Sequence, residues 1–124
     1  MKFLLMIYTD DSLLESLPEG AFDQMMHGCI THADELKAQG TLIESQQLEH
    51  GSTARTVRVR NGRTSIVDGP FAETKEILGG YNLIEADSLE DAVKIAQEFP
   101  WIGTGSIEVR PVRDFDEVRR RVGA

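Results

Sequence analysis

The first strand-like stretch of the chain is apolar in both registers. Across residues 2–9, Phe3, Leu5 and Ile7 alternate with Leu4, Met6 and Tyr8. Side chains alternate between the two faces of a strand, so this segment presents apolar groups on both and is covered on both. Residues 18–39 change period. Phe22, Met25, Met26, Cys29, Ile30, Ala33 and Leu36 fall on one helical stripe. Pro18 suits the first helical turn and Gly40 the position just past the end. Residues 41–47 read as a second strand, with adjacent Leu42 and Ile43 and polar Gln46 and Gln47 departing from a clean alternation.

Residues 56–60 and 63–67 alternate on either side of Asn61-Gly62, the pair that a two-residue hairpin turn needs because both positions take positive φ. Residues 79–86 form a further strand carrying Tyr81, Leu83 and Ile84. Residues 88–99 are helical, with Ser88 as N-cap, Asp91 three positions on, and Leu89, Ala92, Val93, Ala96 and Phe99 as the buried stripe. Glu90 and Lys94 form an i,i+4 pair, and Pro100 stops the helix. Residues 106–112 are the last strand. Residues 114–122 suit a short helix, acidic at its start and closed by Arg119, Arg120 and Arg121. The chain shows no repeat, low-complexity segment or long linker.

Hairpin aside, the order is β-α-β-β-α-β. That predicts an α+β, ferredoxin-like domain over residues 1–124, with the hairpin inserted between its halves. Two helices cover one face of the sheet, yet the first strand is apolar on both. A second copy of the chain is the simplest cover for the other face, giving a homodimer of the dimeric α/β barrel kind with a cleft between sheet and partner. The alternative is a monomer whose C-terminal tail covers that face.

Composition narrows the partners. The 124 residues suffice for one domain and one core, and their apolar content of 40% and charged content of 27% are ordinary for a globular chain. A net charge of −8 argues against a nucleic-acid partner, which clustered Lys and Arg would serve. The single cysteine, Cys29, cannot form an internal disulfide, which makes the cytoplasm the expected compartment. The opening apolar run is followed by Asp10 and Asp11 rather than a small-residue cleavage site, so it reads as a strand and not a signal peptide. No stretch approaches the roughly 20 apolar residues of a membrane helix.

The connection DGPFAETKE, residues 68–76, is dense in charge. Asp68-Gly69-Pro70 is turn chemistry. Phe71 is expected to anchor the loop on the core, Glu73, Lys75 and Glu76 supply charge, and Gly79-Gly80 lets the backbone enter the next strand tightly. Such specificity suits a loop held rigid beside a cleft. This motif, with GGY at 79–81, EADSLEDA at 85–92, GSIEVRPV at 105–112 and the opening KFLLMIY, resembles the DGPF group of YCII-related proteins over nearly the whole chain. The resemblance implies a ferredoxin-like fold assembled as a dimeric α/β barrel. It implies no assigned activity, and it implies a link to extracytoplasmic-function sigma factors, beside which some members are encoded. YciI proteins proper are thought to carry a histidine–aspartate pair suited to acid–base work. The histidine position on the first helix corresponds to Cys29, so that histidine is replaced here, and the aspartate corresponds to Asp68.

Among individual residues, Asp68 is the leading catalytic candidate, with a simple turn cap as the competing reading. His27 and His32 lie five apart, about 140° around a helix, and cannot share a metal. His27 is read as solvated. His32, at the edge of the apolar stripe, is a weak catalytic candidate facing the cleft. His50 opens a Gly/Ser loop and carries no assignment. Cys29 is read as buried and inert. No cluster has metal-ligand spacing, and no cofactor is expected. Lys75 is expected to meet an anionic ligand or Asp68. On the last strand Glu108 and Arg110 share one face while Ile107 and Val109 share the other. If the latter pair meets the helices, Glu108 and Arg110 face the cleft, where Arg110 could hold a carboxylate; the competing reading is ion pairing with Glu85 or Arg58. Phe71, Tyr8 and Tyr81 are expected at the same cleft. Three functions follow: a small polar ligand bound in a dimer cleft, an isomerase- or lyase-like enzyme using Asp68, or an accessory protein of sigma-factor regulation.

Overall fold

The computed structural model describes residues 1–72 and 74–124. Strand β1 (Lys2–Asp10) leads into a short helix α1 (Asp11–Glu15) and then helix α2 (Ala21–Ala38). Strand β2 (Leu42–Gln47) is followed by the hairpin β3 (Arg55–Arg60) and β4 (Arg63–Asp68), by β5 (Glu76–Glu85), helix α3 (Leu89–Gln97), β6 (Gly105–Pro111) and helix α4 (Phe115–Val122). The main sheet is antiparallel in the order β2-β5-β1-β6, and the hairpin forms a separate two-stranded sheet. This is a mixed α+β domain consistent with the ferredoxin-like arrangement.

β1 sits between β5 and β6 and sorts its side chains as the double alternation requires. Phe3, Leu5 and Ile7 are buried under α2 and α3 with Ile84, Leu36, Ala92, Ala96, Phe99 and Trp101. Leu4, Met6 and Tyr8 point to the opposite face and are half-buried. Strand register continues that face across the sheet. One row runs Glu44, Leu83, Leu4, Arg110, and the next Gln46, Tyr81, Met6, Glu108. The C-terminal tail leaves Phe115 64% and Val122 59% exposed, so α4 spends its own apolar groups on solvent rather than shielding another surface. No helix among the described residues is long and apolar enough to cross a membrane.

Local chemistry explains the boundaries. Ser88 caps α3 by accepting the Asp91 amide at 3.1 Å, and Asn61-Gly62 turns the hairpin with φ of 53° and 74°. α2 starts three residues later than the proline suggests: the Ala21 amide bonds the Pro18 carbonyl at 3.0 Å, and Gly20 at φ 82° forms the cap. On α3, Leu89 and Val93 are exposed, and Ile95 packs against the core in their place.

Asp10 is 3% exposed, and its Oδ1 accepts the amides of Ser12 at 3.0 Å and Leu13 at 3.4 Å and the Ser12 hydroxyl at 2.6 Å, capping α1. The Ser12 hydroxyl first, then the two amides and the Lys75 ammonium, hold its pKa below 3.8 against the opposing effect of burial. A carboxylate depressed on folding adds stability above its unfolded pKa and loses it as pH falls through the folded one. The urea midpoint of the wild type is therefore expected to drop more steeply than that of Asp10→Asn as pH is lowered from about 5. Parallel midpoint curves for the two proteins would show that Asp10 adds no pH-dependent stability.

Candidate functional site

The loop that follows the hairpin is shaped by its turn. Gly69 takes φ 96°, which side chains rarely tolerate. Its amide donates to the Ala54 carbonyl at 2.7 Å and its carbonyl accepts the Thr56 hydroxyl at 2.9 Å. Arg58 donates to the Phe71 carbonyl at 2.6 Å. The foot of the hairpin and the loop are thus tied together, and they stand beside the open face of the main sheet. Between them lies a cavity of about 910 Å³, walled by Tyr8 and Leu78 from the sheet, Phe71 and Pro70 from the loop, and Arg55 and Val57 from the hairpin. Glu49, Glu76 and Glu108 also line it, which makes its polar wall predominantly one of hydrogen-bond acceptors.

The expected site residues divide. Phe71 and Glu108 line this cavity, with Tyr8. Phe71 does not anchor on the core: it is 77% exposed, because Gly69 turns the chain away before it. Asp68, Lys75, Tyr81, Arg110 and His32 are not among the walls. Asp68 is exposed at the end of β4 and pairs with Arg55, its cross-strand neighbour, at 2.7 Å. Lys75 reaches Asp10 at 3.7 Å, not Asp68. His32 turns toward α3 instead of the cleft; its Nε2 lies 2.8 Å from Glu98 Oε2, off the ring N–H direction, and its ring meets the edge of Phe99 at 4.9 Å. Ile107 and Val109 pack toward the core, so Glu108 and Arg110 do lie on the open face. Arg110 pairs along its own strand with Glu108 at 3.7 Å, while Glu85 meets the N-terminal ammonium at 3.6 Å. Tyr81 lies next to Met6 on that face, its hydroxyl pKa raised by burial first and then by the Glu44 carboxylate, which keeps it a donor. Glu73 lies outside the described residues.

The structure adds a pair that no local pattern shows. His50 lines the cavity, and its Nδ1 accepts the Ser52 amide at 3.1 Å with the Ser52 hydroxyl 2.9 Å away. The proton therefore sits on Nε2, which donates to Asp11 Oδ2 at 2.8 Å. Asp11 and His50 are 39 residues apart, and only the fold joins them. Among the described residues no group of three or more His, Cys, Asp or Glu side chains is placed to hold a metal ion.

A second cavity, of about 170 Å³, lies on the helix-covered side of the sheet, between α2 and strands β2 and β5. Cys29 and Trp101 line it, and burial pushes the Cys29 thiol up to about 11 against weaker opposing hydrogen bonds from Trp101.

The model of the YCII-related domain matches residues 1–116. The chain belongs to the YCII-related family. The relatives of this YCII-related protein include an uncharacterized protein of Rhizobium meliloti (strain 1021), 32% identical over 114 residues that cover 90% of this chain and 92% of that one. Among solved structures it is similar to 5-chloro-2-hydroxyhydroquinone dehydrochlorinase from Burkholderia phenoliruptrix AC1100, in complex with 2,5-dihydroxybenzoquinone. That likeness has a TM-score of 0.46 and 14% identity, and covers 91% of this chain and 94% of that one. In this YCII-related chain, the positions that the resemblance assigns to a histidine–aspartate pair share no cavity. Cys29 lies on the buried face of α2 with its thiol protonated at neutral pH, and Asp68 lies at the exposed foot of the hairpin.

Proposed function

We propose that this YCII-related protein is a homodimer that binds a small polar ligand in the cavity between its hairpin foot and the open face of its sheet. The observation that carries this reading is the cavity of about 910 Å³ on the sheet face that, among the described residues, no helix covers. Its walls offer an apolar floor of Tyr8, Leu78 and Phe71 and the acceptors Glu49, Glu76 and Glu108. A ligand with a flat apolar body and hydrogen-bond donors fits that set. A second copy supports the site in two ways. It shields Leu4, Met6, Tyr81 and Leu83, and it gives the hairpin something to rest on. A lone two-stranded ribbon is marginal in water, and Val57, Val59 and Ile66 share one of its faces, each more than half exposed.

Charge order across the sheet favours that pairing. The row Glu44, Leu83, Leu4, Arg110 runs from acid to base. A copy turned about an axis parallel to the strands sets the acidic edge of one sheet over the basic edge of the other. Such self-complementarity is what a two-fold interface demands. The DGPF motif at residues 68–71 supports, in this reading, membership of the DGPF group of its family. The alternative of an acid–base enzyme using Asp68 fits less well with a side chain that is exposed and ion-paired to Arg55. An accessory role beside a sigma factor rests on the resemblance alone.

Light scattering is expected to return twice the chain mass. In a thermal-shift screen against a metabolite library, a ligand at 100 times its Kd stabilises by about 2.7 kcal/mol. That stabilisation should be lost in Phe71→Ala and Glu108→Gln and kept in Asp68→Asn. The opposite pattern, loss in Asp68→Asn alone, would transfer the site to the acid–base alternative.

A further inference from the structure

We propose that the inner cavity, beneath α2, is a second and independent binding site, for a compact neutral molecule with an apolar ring and one hydrogen-bond acceptor. Its position separates it from the outer cleft: it lies on the helix-covered face and is walled by Met26, Ile30, Phe99 and Trp101 on its apolar side. None of the 14 residues that line it is charged. Burying an ion there would cost its hydration with no counter-charge to offset it, so the occupant is neutral.

Asn82 supplies the directional contact. It is 3% exposed, in the middle of β5, flanked by Leu5 on β1 and Ser45 on β2. Its Oδ1 accepts the Ser45 hydroxyl at 2.5 Å. Its amide nitrogen donates to no described residue and is not sealed from solvent, and Asn82 is one of the residues that line the cavity. An accessible amide with no protein acceptor is left to donate to water, which a ligand oxygen can displace. A ligand carbonyl or ether oxygen satisfies it. Size sets the rest: an apolar cavity of about 150 Å³ accepts benzene, so about 170 Å³ accepts one six-membered ring bearing a small substituent. The protonated Cys29 thiol adds a polarisable wall and no charge.

The chain has one tryptophan, Trp101, and it lines the cavity, so its emission reports occupancy directly. Titration of the wild type with cyclohexanone is expected to change that emission along a saturating curve, and cyclohexanecarboxylate, of the same shape but charged, is expected to leave it unsaturated. Asn82→Leu removes the donor and should weaken cyclohexanone at least tenfold. Ala33→Leu, on the α2 wall, narrows the space without touching Asn82 and should weaken it as much, which keeps the test decisive if Asn82→Leu does not fold. Linear, unsaturable quenching of the wild type would overturn the proposal, as would equal affinity in either variant. Phe71→Ala, in the outer cleft, should leave cyclohexanone binding unchanged, so failure of one site is distinguishable from failure of the other.

Discussion

Gly105→Ala is expected to destabilise the fold by about 3 kcal/mol, at the upper end of what an overpacked site costs. Gly105 opens β6 and pairs with Thr9 of β1. A methyl group there would overlap the Tyr8 carbonyl oxygen and lie 2.9 Å from its carbonyl carbon and 3.1 Å from the Thr9 Cα. All three are backbone atoms of the strand that holds the sheet together, so no side chain can swing aside. Relief requires β6 to part from β1 at its first pair, next to the buried helix cap at Asp10 whose amide bonds Thr104 at 3.1 Å. Gly103→Ala, two residues earlier, meets nothing within 4 Å. It should be neutral, or gain up to about 1 kcal/mol by restricting the unfolded chain. Urea unfolding of both variants reads the contrast, with the midpoint moving and the m-value unchanged. Coincident midpoints would show that β6 does not approach β1 as closely as described.

What the sequence reveals about this protein depends on range. Short-range signals translate directly. Asn61-Gly62 makes its turn, Ser88 caps its helix, and the double alternation of β1 places Phe3 and Leu5 on one face and Leu4 and Met6 on the other. Each is set by dihedral preferences or by the two-residue period of a strand, so neighbours in sequence suffice. Helix α1 is five residues long, too short to show a period, and its only local sign is an aspartate ahead of Ser12 and Leu13. The stripe of α3 misplaces Leu89 and Val93 because a helical wheel gives an angle, not the depth to which α3 settles on β1 and β6.

Site residues are less legible because their partners are remote. His50 and Asp11 meet across 39 residues, and Ser45 and Asn82 across 37. Neither pair has a spacing that a linear reading can weigh. Lys75 illustrates the same point. The loop charges suggest an interaction with Asp68 nearby, yet the cation reaches the distant Asp10 because β1 and β5 are paired from Asp10 and Glu76 onward. The charged connection is therefore partly scaffold. Lys75 neutralises a helix cap and Glu76 accepts from the Ser106 hydroxyl, while Pro70, Phe71, Ala72, Thr74 and Glu76 line the outer cavity.

Met6→Asp should convert the proposed dimer to a monomer, raising its dissociation constant at least 100-fold, or about 2.7 kcal/mol. Met6 lies on β1, between Tyr81 and Glu108 on the open face. In one chain this position is only half-buried, so a carboxylate there keeps its water and the fold survives. Between two sheets it would lose that water, with Glu108 beside it adding like charge and no cation in its row. Mass by light scattering should fall to that of one chain while far-UV circular dichroism stays as in the wild type. Thermal stability should lose its dependence on protein concentration, as mass action requires of a dissociated dimer. Ligand stabilisation in the outer cleft should weaken in step, since that cleft loses its facing wall, while cyclohexanone binding beneath α2 should persist. Leu89→Asp, on the exposed side of α3, is the matched control and should leave the mass unchanged. If Met6→Asp retains two chains, the open sheet face is not the seam. The exposed Phe115 and Val122 of α4, or the hairpin face of Val57, Val59 and Ile66, then join the copies, and the outer cavity stands open to solvent in the assembled protein.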